Sequence, residues 1–266
     1  MKNVLDTFLH DNVALVTGAG SGIGRATAEK LAAVGARVGL FGRTHDELRD
    51  TADAIAKNGG NALVLEGDVT HADQLDNAVG AIEREWGRLD VLVCNAGING
   101  KWAPLEELEE SDWDKTIDIN LKGTFLTVRA ALPLLRRNGG SVTIVSSVNG
   151  TRMFSNAGAS AYATSKAGQV AFARMMALEL ARLRVRVNTV CPGAIETAID
   201  DNTQAQHTDE LRPEVEFPEG KIPITGGSPG TVEQVAAAIL FLSSPAASHI
   251  TGAELFIDGA QSLLQG

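Results

Sequence analysis

The chain has 266 residues, 44% of them hydrophobic and 21% charged, a composition typical of a globular protein with a sizeable core. Its formal net charge of −10 argues against nucleic acid as the main partner, because proteins that bind a polyphosphate backbone usually carry a basic face. The N-terminus lacks the apolar core of a signal peptide, and no apolar stretch reaches the roughly 20 residues that cross a bilayer, so we expect a cytoplasmic protein without membrane contact.

Seven continuous runs rich in Val, Ile and Leu alternate with segments whose apolar residues recur at helical spacing. Continuous apolar runs are typical of strands buried on both faces, so the alternation predicts an α/β protein with a doubly wound, seven-stranded parallel sheet and helices on both faces. The predicted strands are Val13–Thr17, Arg37–Phe41, Ala62–Glu66, Val91–Val93, Val142–Ser146, Arg186–Val190 and Leu255–Ile257. The predicted helices are Gly24–Val34, Asp46–Asn58, Ala72–Trp86, Ser111–Arg137, Ala161–Leu183 and Val232–Leu242, with Thr44, Ser111 and Thr231 as N-caps.

No linker or low-complexity segment divides this alternation, so we expect a single domain over residues 1–266. The segment Ala194–Thr231 breaks the rhythm with prolines and a Gly-Gly pair, and a loop of that length is commonly a substrate lid. It contains the GxSxG pattern of serine hydrolases around Ser228, but Pro223 disrupts the strand that this motif requires before it. We therefore set a hydrolase aside.

A glycine-rich turn, Gly18-Ala19-Gly20-Ser21-Gly22-Ile23-Gly24, follows the first strand and opens the first helix. Glycines let the backbone approach a pyrophosphate, and the helix N-terminus offers unpaired N–H groups to it. The spacing differs from GxGxxG, and a P-loop is excluded because Arg25-Ala26 stands where Lys-Ser/Thr is required. The turn predicts a dinucleotide site.

The charge of the residue at the tip of the second strand indicates whether NAD(H) or NADP(H) binds. An acidic residue there would bind a ribose 2′-hydroxyl, whereas a basic one could pair with a 2′-phosphate. The sequence has Gly42-Arg43 and no acid at the tip, which favours NADP(H) over NAD(H). Arg43 as a solvated loop residue is the alternative.

Tyr162 is the only tyrosine in the chain, and Lys166 follows it four residues later, on the same face of a helix. A cation beside a phenol favours the phenolate and lowers a pKa that is about 10 in water, which makes the phenol a usable proton carrier. The alternative is an ordinary amphipathic helix with a half-buried tyrosine and a solvated lysine.

Several motifs along the chain together resemble the short-chain dehydrogenase/reductase superfamily in its shorter, single-domain, Rossmann-like type. The resemblance runs from about Asp11 to Leu264 and rests on Thr17-Gly18-xxx-Gly22-x-Gly24, Asp68, Asn95-Ala96-Gly97, Asn120, Ser147, Tyr162-xxx-Lys166 and Pro192-Gly193. It implies an NAD(P)-dependent oxidoreductase that transfers a hydride between a nicotinamide cofactor and a small or medium secondary alcohol or ketone. It also implies a homotetramer built through two helices and the last strand.

The resemblance assigns the cofactor contacts to residues just beyond strand ends. It implies that Asp68, with Val69, holds the adenine. Those expected along the ribose and the nicotinamide are Asn95, Ala96, Gly97, Pro192, Gly193, Ile195 and Thr197. Open α/β sheets place their ligands at this edge.

The resemblance implies that Ser147 donates a hydrogen bond to the substrate oxygen and Tyr162 exchanges the proton. Lys166 would favour the phenolate and hold the nicotinamide ribose, and Asn120 would bind a water that links Lys166 to solvent. Ser147 lies fifteen residues before Tyr162, a little more than is typical, so we expect an enlarged loop beside the substrate. Ser146 is the alternative serine.

Two other functions stay open: an isomerase or dehydratase using the same tyrosine, and a non-catalytic nucleotide sensor on the same fold. Cys94 and Cys191 are far apart and the histidines lack ligand spacing, so no metal site is expected. Apolar lid residues predict a pocket with apolar walls, although a polyol or sugar substrate is left open. These residues are Ile195, Ile199, Leu211, Phe217, Ile222 and Ile224.

Overall fold

The structure is a computed structural model, and it describes residues 9–197, 202–211 and 221–264. Its strands are β1 (Val13–Thr17), β2 (Arg37–Gly42), β3 (Asn61–Glu66), β4 (Val91–Cys94), β5 (Gly100–Trp102), β6 (Gly140–Val145), β7 (Val185–Pro192), β8 (Thr203–Ala205) and β9 (Glu254–Ile257). Its α-helices are α1 (Gly22–Ala33), α2 (His45–Lys57), α3 (Ala72–Trp86), α4 (Glu110–Ile117), α5 (Gly123–Asn138), α6 (Ser160–Ala181), α7 (Val232–Ser243) and α8 (Gln261–Leu264).

Seven strands form one parallel sheet in the order β3-β2-β1-β4-β6-β7-β9. Side chains alternate across it, so Leu15 enters the core under α3, α5 and α6 while Val16 enters the core under α1, α2 and α7. Both residues are fully buried. The predicted doubly wound α/β fold is therefore confirmed, and strand order reverses between β1 and β4, the usual position of a ligand cleft.

The long helix predicted over Ser111–Arg137 is interrupted. It consists of α4 and α5 joined by one π-helical turn, Asp118–Lys122. Ser111 was predicted as its N-cap, which is wrong because Glu109 occupies the N-cap position of α4 and Ser111 lies inside the first turn. Thr44 and Thr231 occupy the N-cap positions of their helices, as predicted. Thr231 and Gln234 form a capping box, in which the Thr231 N–H donates to Gln234 Oε1 at 2.9 Å, whereas the Thr44 side chain makes no capping hydrogen bond.

A short parallel pair, β5 with β8, was not predicted. Three-residue strands give no periodic signal, and these two come from segments far apart in the chain. β8 lies within the expected lid, of which residues 198–201 and 212–220 fall outside the described residues, as do Ile199 and Phe217. The pairing joins part of the lid segment to the loop after β4.

Over the described ranges, no helix is both long and apolar enough to cross a bilayer. The same residues contain no group of three or more His, Cys, Asp or Glu side chains arranged to hold a metal ion. Cys94 and Cys191 are buried thiols, as predicted.

Candidate active site

The carboxyl ends of the central strands open into a cavity of about 920 Å³. Every residue that we predicted for the site lines this cavity except Gly24 and Asn120. One end of the cavity lies at the glycine turn and the tip of β2, and the other lies beside Tyr162 and Trp102.

The glycine turn is shaped by backbone angles that favour glycine. Gly18 has φ +65° and Gly22 has φ +51°. Asn95 Nδ2 donates to the carbonyls of Thr17 at 3.1 Å and Gly18 at 3.2 Å, which ties the turn to the end of β4. Gly24 faces inward instead, because a Cβ there would lie 2.0 Å from the Gly18 carbonyl oxygen. Its role is close packing of α1 on the turn.

At the end of the cavity near the glycine turn, Arg43 follows β2 and is exposed, and Asp68 follows β3. Asp68 Oδ1 accepts hydrogen bonds from the backbone N–H and hydroxyl of Thr70 at 2.9 and 2.8 Å, which fixes the carboxylate. The sequence interpretation missed Glu47, which also lines the cavity. A Cβ on Gly20 would lie 2.8 Å from Glu47 Oε2, so this carboxylate lies over the glycine turn.

Tyr162 and Lys166 lie one turn apart on α6 and are both buried, at 7% and 4% exposure. Lys166 Nζ lies 5.6 Å from the centre of the Tyr162 ring and donates to the Val145 carbonyl at 3.0 Å. Burial lowers the pKa of Lys166 to about 8. The alternative of a solvated lysine is wrong.

Ser146 and Ser147 differ in what their hydroxyls bind. Ser146 Oγ donates to the Lys166 carbonyl at 2.8 Å, so it is used in anchoring α6 to β6. Ser147 Oγ accepts the Asn149 N–H at 3.1 Å, which leaves its hydroxyl proton to be donated. Both serines line the cavity.

Asn120 lies in the π-helical turn and is completely buried, so it does not line the cavity. Its amide accepts the Ile98 N–H at 2.8 Å and donates to the Ile98 carbonyl at 2.9 Å and Ser165 Oγ at 3.0 Å. The side chain therefore joins the loop after β4 to α6.

The backbone carbonyl of Asn120 is also held. It accepts hydrogen bonds from Thr124 Oγ1 at 2.7 Å and Gln169 Nε2 at 2.8 Å. Gln169 was missed, although it lies three residues after Lys166 and seven after Tyr162, a spacing that places it on the same face of α6. That spacing was the available signal.

Gly97 provides space beside these groups. A Cβ at Gly97 would lie 3.2 Å from Asn120 Oδ1 and 3.5 Å from Lys166 Nζ. The missing side chain leaves Lys166 Nζ open toward the cavity, where a ribose hydroxyl could reach it.

Four asparagines, Asn99, Asn149, Asn156 and Asn202, line the end of the cavity beside Tyr162, and the sequence interpretation missed all of them as site residues. Asn156 Nδ2 donates to Asn149 Oδ1 at 3.0 Å, and Asn99 Nδ2 donates to Thr203 Oγ1 at 2.7 Å. No local motif marks them, because separate loops and the β5–β8 pair bring them together.

Trp102 and Met153 complete this end, and the Trp102 ring centre lies 6.3 Å from that of Tyr162. Of the apolar lid residues predicted to form the pocket walls, Ile195 lines the cavity, and the prediction is wrong for the three others that the structure describes. Leu211, Ile222 and Ile224 do not line the cavity. Ile222 and Ile224 pack instead against Gly259.

The arrangement fits a dinucleotide. A glycine turn with positive φ leads into the N-terminus of a 12-residue helix, which suits a pyrophosphate. The cavity continues from there past Asp68 to the gap at Gly97.

The family model described as enoyl-(acyl carrier protein) reductase matches residues 18–260. A solved 3-ketoacyl-ACP reductase from Sinorhizobium meliloti 1021 is 51% identical, with a TM-score of 0.90 over 94% of this chain and 99% of that one. Levodione reductase of Leifsonia aquatica is 36% identical over 255 residues, covering 95% of this chain and 94% of that protein. A 3-ketoacyl-(acyl-carrier-protein) reductase from Brucella melitensis complexed with NADH is 30% identical, with a TM-score of 0.84 over 96% and 99% of the two chains.

Proposed function

The chain belongs to the short-chain dehydrogenase/reductase superfamily, and we propose that its Tyr162 exchanges a proton with the oxygen of a secondary alcohol or ketone. The protein is an NAD(P)-dependent oxidoreductase. The observation that supports this role for Tyr162 is its burial one helical turn before Lys166, on a cavity wall shared with Ser147. When bound, the nicotinamide cofactor supplies the hydride donor or acceptor.

In the reductive direction Tyr162 gives its proton to the substrate oxygen as negative charge develops there. Ser147 donates a hydrogen bond to the same oxygen, since its Oγ already accepts the Asn149 N–H. The Lys166 ammonium stabilises the phenolate that remains. In the oxidative direction the phenolate takes the proton from the alcohol.

Asn120 is proposed as a positioning residue. Its hydrogen bonds to Ile98 and Ser165 hold α6 against the loop after β4, and thereby hold Lys166 beside Gly97. The water link expected from the resemblance stays a prediction.

The proposed cofactor contacts follow the cavity wall. The glycine turn and the α1 N-terminus would hold the pyrophosphate, Asp68 and Val69 the adenine, and Asn95, Ala96, Gly97 and Lys166 the ribose next to the nicotinamide. The proposed nicotinamide contacts are Pro192, Gly193, Ile195 and Thr197. We propose NADP(H) over NAD(H), because Arg43 is the only cation among the described lining residues at the tip of β2.

A single domain, a lid over 194–231, a cytoplasmic location and a homotetramer are also part of the proposal. Buried unpaired thiols at Cys94 and Cys191 suit a reducing compartment. Apolar side chains on the outer faces of α5 and α6, Phe125, Met175 and Leu178, support association through these helices.

The test is a panel of alcohols and ketones with NADP and NAD, followed by nicotinamide absorbance. Tyr162→Phe should lower kcat by about 10² to 10⁴, the usual contribution of an acid–base group. Ser147→Ala should cost about 100-fold, and its matched control Ser146→Ala clearly less, because the Ser146 hydroxyl binds backbone. Full activity of Tyr162→Phe would overturn the role proposed for Tyr162, and cofactor binding without turnover of any compound would support the nucleotide sensor. Turnover without net cofactor oxidation would support an isomerase or dehydratase.

A further inference from the structure

Building on the proposed dehydrogenase function, we propose that the substrate is a neutral, polyhydroxylated ring compound, a cyclic polyol or sugar. The structural basis is the amide-lined end of the cavity beside Tyr162. Its surface chemistry, one aromatic wall and the distribution of charge each narrow the class of molecule that fits there.

Asparagine amides form the polar wall at this end of the cavity. Asn99 and Asn149 are 6% and 7% exposed, and Asn156 and Asn202 line the cavity near them. The Asn149 backbone N–H donates to Ser147 Oγ, and its side-chain Oδ1 accepts from Asn156, so these amides are continuous with the serine proposed to bind the reacting oxygen. An amide both donates and accepts, as a hydroxyl does, so hydroxyl groups next to the reacting carbon can be matched.

The same amides discriminate against an apolar substrate. An alkyl group pressed against a buried amide removes water from it without replacing the hydrogen bonds. Sites that hydrogen-bond a substrate hydroxyl therefore reject the analogue that lacks it much more strongly than an apolar pocket rejects an extra methylene.

Trp102 supplies the ring-binding wall. Its indole is tilted by 40° to the Tyr162 ring at 6.3 Å, and its Nε1 donates to the Asn99 carbonyl at 3.2 Å, which fixes its orientation. A pyranose or cyclohexane polyol has C–H groups on its faces and hydroxyls around its edge. The indole face suits the C–H groups while the asparagines suit the edge.

The charges of the described lining residues disfavour a substrate with an anionic group near its reacting carbon. Among the described residues that line the cavity, the cations are Arg43 and Lys166. Arg43 lies at the far end beyond β2, and Lys166 is buried with its Nζ on the Val145 carbonyl. Glu196 lines the lid side and would repel an anion. Among the described residues, a carboxylate or phosphate next to the reacting carbon would therefore have no counterion beside it.

The experiment compares three substrate classes on the wild-type enzyme. These are cyclohexanol, a set of cyclohexane polyols and aldopyranoses, and acetoacetyl-CoA, the last with reduced cofactor. We expect the best polyol or sugar to exceed both other classes in kcat/KM by about 100-fold or more. A higher kcat/KM for cyclohexanol or acetoacetyl-CoA would overturn the substrate class and leave the dehydrogenase function standing. Absence of turnover with every compound would overturn both.

Two variants test the residues. Asn156→Leu keeps the approximate side-chain volume and removes the amide, and Trp102→Leu removes the indole wall. The measured quantity is kcat/KM for the best polyol divided by kcat/KM for cyclohexanol. Each variant should lower this ratio by about 10-fold. Asn138→Leu, on the exposed end of α5, is the matched control and should leave the ratio unchanged. Equal losses on both substrates in both variants would mean a purely structural role and overturn the assignment.

Discussion

Lys166 keeps an ammonium group inside the protein, 4% exposed, with the Val145 carbonyl as its described hydrogen-bond acceptor. Burial lowers its pKa to about 8, so it still carries its proton at pH 7. At that pH the positive charge is present beside Tyr162, as the proposed mechanism requires, while its burial costs stability.

The pH dependence of stability tests this residue. Between the folded pKa of about 8 and the ordinary value of 10.5, the unfolded chain binds a proton that the folded chain has released. Stability relative to Lys166→Met should therefore rise with pH across that window, by about 2 kcal/mol between pH 7 and pH 10. Urea unfolding of both proteins measures the difference, and a difference that stays constant with pH would contradict the buried charge.

The proposed cofactor preference is also a single-residue property. Arg43→Ala should raise KM for NADPH about 10- to 100-fold, because a charge-assisted contact to the 2′-phosphate is lost, and change KM for NADH about twofold at most. Arg49→Ala is the control, since Arg49 is exposed on α2, the helix that follows Arg43, but does not line the cavity. Equal effects of Arg43→Ala on both cofactors, or a wild-type preference for NADH, would refute the preference.

At the scale of elements, the β5–β8 pair and the side-chain contacts beside it join the loop after β4 to part of the lid segment. The Gln206 N–H donates to the Trp102 carbonyl at 2.9 Å, and His207 Nδ1 lies 2.8 Å from Glu107 Oε2. The hydrogen bond to Glu107 raises the pKa of His207, with a further contribution from Glu210. Lys101 Nζ donates to the Glu107 carbonyl at 3.0 Å and lies 3.4 Å from Asp112 Oδ2.

A raised histidine pKa stabilises this pair below pH 6.5 and loses the contribution as pH rises through the folded value. We expect the hydrogen-exchange protection factor of the Gln206 amide to fall over that rise in pH, and Glu107→Gln to remove the pH dependence. His249→Gln, an exposed histidine elsewhere, should retain it. A wild-type protection factor that does not change with pH would show that the pair does not hold the segment.

At the scale of the whole molecule, the outer face of α6 exposes apolar side chains next to one on α5. Leu178 is 81% exposed and Met175 65%, three residues apart on one helix face, and Phe125 on α5 is 43% exposed. Apolar side chains grouped in this way favour association with another copy of the chain.

Light scattering should therefore give a mass four times the 27.9 kDa of one chain. Leu178→Glu should lower that mass, because a carboxylate would be buried without a partner in the interface. Ile224→Glu, which changes a lid-segment residue that is 80% exposed, is the control and should leave the mass unchanged. A monomeric wild type would contradict the proposed tetramer.

The sequence alone determined the features that depend on local pattern. Continuous apolar runs predicted all seven strands of the main sheet, with every boundary within two residues, because the central strands are buried on both faces and take apolar residues at most positions. The glycine turn and the placement of Tyr162 and Lys166 on one helix face were also predictable from the sequence, since backbone angles and helical periodicity act over a few residues.

The tertiary structure decided what depends on contacts between distant segments. Ser146 differs from Ser147 only because Lys166, twenty residues on, offers Ser146 a backbone carbonyl. The helix around Asn120 is interrupted by a π-helical turn whose carbonyl is held by Gln169 of another helix. Asn99 reaches the pocket wall beside Thr203, 104 residues away. Such pairings leave no periodic trace in the sequence, because they are selected by the packing of the whole chain.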